Sequence, residues 1–256
     1  MMRSIAYVAD ISQDIDDLVT IYALRSSGRL GCVVLDRPPT DDIGAMRVKK
    51  MVEDGIPLCE SIPGHQGDVF VGGSLGKVAE YVLSGGEIAN LVVNGGFVGK
   101  TVVPDEDALP KFAGKASVRT YNFDLDVDAA DAVLRSTPEQ IGRIFLVGKN
   151  VCHDARNTPS GIWASHGELL DGFALGPHKR LHDLLMAYEG LALVRLSDHP
   201  LLCRYEDVYP YNEGLQGNMT RWGSSRTPTG YRRVTAATGW RADGQSAVTP
   251  NGRNLP

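Results

Sequence analysis

The sequence predicts an α/β fold, a single domain in which a mostly parallel sheet is flanked by helices. Three observations predict it. Short apolar, β-branched runs alternate with segments of helical spacing. The runs are continuously apolar, as strands covered on both faces are. A chain of 256 residues that is 43% hydrophobic has enough apolar material for one sizeable core without a disulfide or metal.

The elements follow in order. Ser4 to Ala9 (SIAYVA) is a strand. An acidic turn, DISQDIDD, leads into LVTIYALRSSG, where Leu18, Ile21, Tyr22 and Leu24 recur near helical spacing and Gly28 caps the end. Cys32 to Leu35 is the next strand, broken by Asp36-Arg-Pro-Pro-Thr. Residues 42–54 read as a helix ending at Gly55, and Ile56 to Cys59 as a short strand. Asp68 to Val71 is strand, Leu75 to Leu83 helix, and Asn90 to Val93 a buried strand running into Asn94-Gly-Gly. A polar loop spans Gly99 to Arg119. Beyond Thr120 to Phe123, DVDAADAVLRS is a helix with Asp126 at its N-cap and acids in its first turn. Ile144 to Val147 is a further strand. Beyond about residue 205 the alternation weakens. Residues 1–240 read as the domain and 241–256, RADGQSAVTPNGRNLP, as a loose polar tail.

Composition excludes several classes. Lys plus Arg number 26 against 31 Asp plus Glu, a net charge of −5, which argues against nucleic acid as a partner. No run of about 18 apolar residues is present, which argues against a membrane span. The N-terminus has no apolar signal core, so the expected location is cytoplasmic. Cys32, Cys59, Cys152 and Cys203 are scattered, with no CxxC pair, and read as free thiols.

The sharpest feature is the acidic turn. Asp10, Asp14, Asp16 and Asp17 fall within eight residues, between a strand and a helix. Carboxylates this close repel one another and require a cation, helix amides or solvation. Oxygen-only ligands suit Ca²⁺ or Mg²⁺. Without a cation the same acids make an over-capped helix start. An EF-hand is excluded by Ile15, which stands where that loop requires Gly.

The strand and DISQDIDD together resemble the N-terminal signature of the inosine-uridine-preferring nucleoside hydrolases, D-x-D-x-G-x-D-x-D-D. Further segments resemble that family in the same order: VFVGGSLGKVAEYV its strand and L-G-P-L-T-N helix start, and LVVNGG its I-V-x-M-G-G. RTYNFDLDVDAADAVL is similar to its E-F-N-x-x-x-D-P-E-A-A, FLVGKNVCH to its L-x-x-V-T-H, and LHDLLMAY to its H-D-P-L-A. GKTVVPDEDALPKFAGK resembles an insertion found in one branch of the family. The likeness covers roughly residues 4–190.

The resemblance implies a nucleoside-hydrolase-like fold and Ca²⁺-dependent hydrolysis of an N-glycosidic bond, releasing base and sugar. It implies Asp10, Asp17, Asp183 and the main-chain carbonyl of Cys152 as metal ligands. Asp10 also takes the proton of the attacking water, and His182 protonates the departing base or is a core histidine. Asp16 holds sugar hydroxyls, and Asn122, Thr120 and Asn94 line the substrate site. Asp14 is a supporting carboxylate. The family's dimers and tetramers imply a possible homo-oligomer. The chemistry stands independently of the family: a divalent cation acidifies its water, a carboxylate completes the deprotonation, and an anionic site favours an oxocarbenium-like sugar.

Departures accompany the matches. Val8 stands where the family has its first Asp, Ser12 where it has Gly, Thr101 where it has Asn, and Thr120 where a Glu reads the sugar 5′-hydroxyl. The stretch from Pro57 to Asp68 is too short for the family's His-bearing flap. A Thr at 120 beside Arg119, with Lys100 after the GG loop, would tolerate a 5′-phosphate that a Glu would repel. The plainer reading makes both cations solvated loop charges. Two alternative functions therefore stand beside the first: hydrolysis of a modified or plain nucleoside 5′-monophosphate, and a non-catalytic relative that binds nucleoside and metal.

Overall fold

The computed structural model describes residues 4–12, 14–64, 67–210, 222–223 and 230–241. The chain opens with β1 (Ile5–Ala9), α1 (Asp16–Ser26), β2 (Leu30–Leu35), α2 (Asp42–Glu53), β3 (Leu58–Cys59), β4 (Gly67–Val71), α3 (Gly76–Leu83) and β5 (Ile88–Val93). It continues with α4 (Tyr121–Asp124), α5 (Val127–Arg135), β6 (Ile141–Leu146), α6 (Lys149–Cys152), α7 (Gly167–Leu170), α8 (His182–Leu193), β7 (Cys203–Pro210), β8 (Trp222–Gly223) and β9 (Val234–Trp240).

The strands lie in the order β3-β2-β1-β4-β5-β6-β9-β7-β8. All neighbours from β3 to β9 are parallel, while β7 runs antiparallel to both β9 and β8. The chain leaves β1 outward through β2 and β3, then returns to β4 on the other side of β1. Strand order therefore reverses between β1 and β4, and ligands of such sheets sit outside the carboxyl ends of the strands at that reversal.

Alternation along the strands makes two apolar layers. Ala6 and Val8 of β1, Val69 and Val71 of β4, and Leu91 and Val93 of β5 face α3 and α5 through Val78, Val82, Ala130 and Val133. Ile5, Tyr7 and Ala9, with Phe70 and Val92, face α1 and α8 through Leu18, Ile21, Leu184 and Leu185. Helix α8 approaches closely because it carries Gly190. A Cβ there would lie 2.7 Å from the Phe70 ring and 3.0 Å from a Val92 methyl.

The expected punctuation holds. Gly28 and Gly55 follow α1 and α2 at φ +68° and +72°. Asp126 caps α5, its carboxylate accepting from Ala129 N at 2.9 Å. The region past residue 205 differs from expectation, because β7 and β9 extend the sheet. Their pairing with one another covers Cys203↔Trp240 to Val208↔Val234. Glu189 of α8, fully buried, fastens β7: its carboxylate accepts from Leu202 N (2.7 Å), Cys203 N (3.2 Å) and Tyr205 Oη (2.8 Å). The expected tail, apart from Arg241, lies outside the described residues. All four cysteines are free, and among the described residues no helix is long and apolar enough to cross a membrane.

Candidate active site

A cavity of about 430 Å³ opens at the carboxyl ends of β1, β4, β5 and β6. Every residue expected at the site lines it: Asp10, Asp16 and Asp17 from the turn after β1; Asn94 after β5; Thr120 and Asn122 at α4; Cys152 of α6; and His182 and Asp183 at the start of α8. Residues up to 173 positions apart in sequence are thus neighbours. A larger depression of about 1290 Å³ lies between α1 and residues 165–174 and shares none of them.

The acids are fixed by different hands. Tyr7 Oη donates to Asp17 Oδ1 at 2.8 Å, and Asn94 Nδ2 donates to Asp183 Oδ1 at 2.6 Å. These two oxygens face the same small space beside Gly72. A Cβ on Gly72 would overlap Tyr7 Oη and Asp17 Oδ1 and lie 3.0 Å from Asp183 Oδ1, so only glycine leaves that space open. Asp16 Oδ2 accepts from the His182 and Asp183 main-chain amides at 2.6 and 3.2 Å, capping α8, while its Oδ1 is buried without a partner. Asp10 Oδ2 accepts from Arg37 Nη2 at 2.7 Å. Asp14 pairs with Lys179 at 2.6 Å and accepts from Asp16 N at 3.2 Å, a supporting position.

Burial raises the Asp17 and Asp183 carboxyls well above the usual range. Nearby carboxylates add to this, Asp16 and Asp10 acting on Asp17, and Asp17 and Asp16 on Asp183. Burial raises Asp16 to about 7. Burial also lowers His182 to about 4, so the ring is neutral at physiological pH, and its Nε2 is buried without a partner. Its ring meets that of His153 edge-on at 4.7 Å.

Among the described residues no three His, Cys, Asp or Glu side chains form a ready-made metal cage. Asp10 turns to Arg37, Asp17 to Tyr7 and Asp183 to Asn94. The residues fit a hard divalent cation in kind. Asp10, Asp17, Asp183 and Cys152 line one cavity, their side-chain and main-chain oxygens are hard donors, and burial and mutual repulsion drive the Asp17 and Asp183 carboxyls toward protonation. The Cys152 carbonyl accepts from Asn157 Nδ2 at 3.0 Å and keeps a second lone pair. Trp163 Nε1 in turn holds Asn157 at 2.8 Å. The Cys152 thiol is raised by burial and donates to Val147 O, so it is no nucleophile.

Other expectations are refined. The Asn122 amide donates to Gly72 O and Asn94 O at 2.7 and 2.8 Å, tying the ends of β4 and β5 together at the cavity wall. Thr120 is buried and makes no capping bond. Arg119 does not serve the cavity: its guanidinium is bound to Asp124 at 2.6 Å, and neither it nor Lys100 lines the space. Val8 lies in the apolar layer under α3 and α5, on the face opposite Tyr7, so it leaves no gap among the acids. Sequence reading missed Tyr7, Arg37 and Lys149. Tyr7 carried a signal, as the one polar group in an otherwise apolar strand.

No family model and no curated protein matches the sequence. Among solved structures, the chain is similar to an inosine-guanosine nucleoside hydrolase, with a TM-score of 0.53 and 12% identity over 94% of this chain and 95% of that one. It also aligns with the effector protein XOO4466, at a TM-score of 0.44 and 15% identity over 90% of this chain and 89% of that one. With the strand order and the carboxyl-end cavity, the first likeness establishes a nucleoside-hydrolase-like fold.

Proposed function

We propose that the chain hydrolyses the N-glycosidic bond of a nucleoside-type substrate, giving free base and sugar. One observation carries this reading: the expected residues, dispersed from Asp10 to Asp183, line a single cavity at the strand-order reversal. Its volume of about 430 Å³ suits one small polar ligand.

Asp10, Asp17, Asp183 and the Cys152 carbonyl would hold Ca²⁺, which supplies an acidified water next to a carboxylate. Asp10 accepts the proton of the attacking water once its carboxylate is released from Arg37. The C–N bond breaks with its electron pair going to the base, and the water oxygen forms the new bond to the sugar. The surrounding carboxylates favour the positive charge that develops on the sugar. Asp16 keeps Oδ1 free for a sugar hydroxyl while Oδ2 holds α8. His182, neutral and with Nε2 unpartnered, offers a hydrogen bond to the departing base.

The test is incubation with a panel of nucleosides and their 5′-monophosphates, with calcium or with chelator, followed by chromatography for free base. Base release that chelator abolishes is expected. Absence of base release from the whole panel in calcium would overturn the proposal, and release unaffected by chelator would overturn the metal's part in it.

A further inference from the structure

The cavity is electrically two-sided. Acids line the side built by β1 and α1, Lys149 lines the side built by α6, and Lys111, Lys115 and Arg180 gather around His153 just beyond the lining. Lys149 and His153 line the cavity, with Lys149 Nζ 3.3 Å from His153 Nε2. Phe112 meets the His153 ring edge-on at 5.7 Å, and the Lys111 and Lys115 ammoniums lie 4.9 and 5.9 Å from the Phe112 centroid. Arg180 Nε donates to the His153 carbonyl at 3.5 Å and its Nη1 to the His178 carbonyl at 2.8 Å.

These four cations differ from others near the site. Lys179, Arg37 and Arg119 each have a carboxylate, in Asp14, Asp10 and Asp124. Among the described residues none of Lys111, Lys115, Lys149 and Arg180 is ion-paired. Lys149 is half-buried, and its one side-chain partner is an imidazole. Like charges gathered at a partly desolvated edge, in a chain of net charge −5, repel one another unless an anion joins them. A nucleic-acid polyanion is a poor occupant, since the facing acids would repel its remaining phosphates. A single oxyanion on a nucleoside-sized ligand fits both sides, with the sugar hydroxyls toward the acids and the anion toward the cations.

We infer that Lys149, reinforced by Lys111 and Arg180 behind it, binds an oxyanion carried by the substrate, a phosphate or a carboxylate. The inference rests on the reading of the cavity as a nucleoside site. It differs from the 5′-phosphate contact expected at Arg119 and Lys100: Arg119 is held by Asp124, and neither residue lines the cavity.

Equilibrium binding of matched probes tests it by calorimetry at low salt: inosine against inosine 5′-monophosphate, and uridine against orotidine, whose base carries a carboxylate. At least one anionic probe should bind ten times or more tighter than its parent, and which one does identifies the anion's source. Lys149→Gln and Lys111→Gln should each reduce that ratio to about threefold or less, with melting temperature unchanged. Lys49→Gln, on the exposed face of α2 and paired with Glu53, should leave it intact. Equal affinity in both pairs, or a ratio that survives both of those lysine substitutions, would overturn the inference. Because binding is the readout, base release without anion preference would sink this inference alone. Anion preference without base release would sink only the proposed hydrolysis.

Discussion

Replacing Asp16 by Asn is expected to stabilise the metal-free chain while silencing the site. Asp16 is buried and its carboxyl is raised from 3.8 to about 7. The protonated form is therefore favoured in the folded state. The cost of charging Asp16 is absent below about pH 4, grows as pH rises toward 7, and is full above that. A shift of about three pH units corresponds to about 4 kcal/mol. Asn keeps an oxygen to accept from the His182 and Asp183 amides, and the charge lost from that cap is already contained in the shift. The gain at pH 8 is therefore on the order of a few kcal/mol, each worth about 2–4 °C in melting temperature for a chain of this size. Removing the charge also relieves Asp17 and Asp183, which Asp16 pushes in the same direction. The assay is thermal unfolding of wild type and Asp16→Asn in chelator, from about pH 4 to about pH 8, followed by circular dichroism. The difference should be near zero at the acid end and largest at the alkaline end. A difference that is flat with pH, or a variant less stable throughout, would refute the idea that an uncompensated buried charge is stored here.

Three further outcomes are expected. Asp10→Asn should lower turnover by at least about a hundredfold, as loss of a positioned base does, and near-normal kcat in the purified variant would remove Asp10 from the mechanism. Gly72→Ala should cost about 1–3 kcal/mol in a denaturant titration and weaken calcium binding, because the new Cβ collides with Tyr7 and Asp17; unchanged values in both would mean that the space beside Gly72 is not used. Glu189→Ala strands the Leu202 and Cys203 amides and the Tyr205 hydroxyl, so a loss of about 3 kcal/mol or more is expected, and hydrogen exchange should quicken first at residues 203–208.

Local chemistry made much of this legible in the sequence. Continuous apolar runs marked β1, β2, β4, β5 and β6, glycines marked helix ends, and Asp126 announced its own cap. The acids of the β1–α1 turn stood out by their crowding, and Asp183 by the resemblance of LHDLLMAY to the nucleoside hydrolases' H-D-P-L-A; the fold brings them to one cavity. Partners brought by the fold were not legible. Nothing near Asp10 announces Arg37, and nothing near Asp183 announces Asn94, 89 positions away. Arg119 misled because its partner, Asp124, lies five residues on, at the end of α4, which a reading of residue types beside Thr120 does not weigh. Strands β7 and β9 escaped because their stability comes from each other and from Glu189, and neither contact has a local signature.

The junction between β6 and β9 has a mechanical consequence. Only Phe145↔Thr235 and Leu146↔Ala236 register the parallel contact there, whereas β9 and β7 match over six pairs. The antiparallel ribbon is thus paired more continuously within itself than with the sheet it extends, and its hold on the body falls to side chains: Val208, Val234 and Ala236 in one apolar layer, Cys203 and Ala237 in the other. Its polar attachments elsewhere include Glu189, the Arg204–Asp107 pair and the Trp240 indole, which donates to the Val151 carbonyl at 3.2 Å. Val151 immediately precedes Cys152, which lines the cavity. Loosening the last strands would free one end of the short helix that carries Cys152, so the edge of the sheet and the cavity wall are mechanically linked.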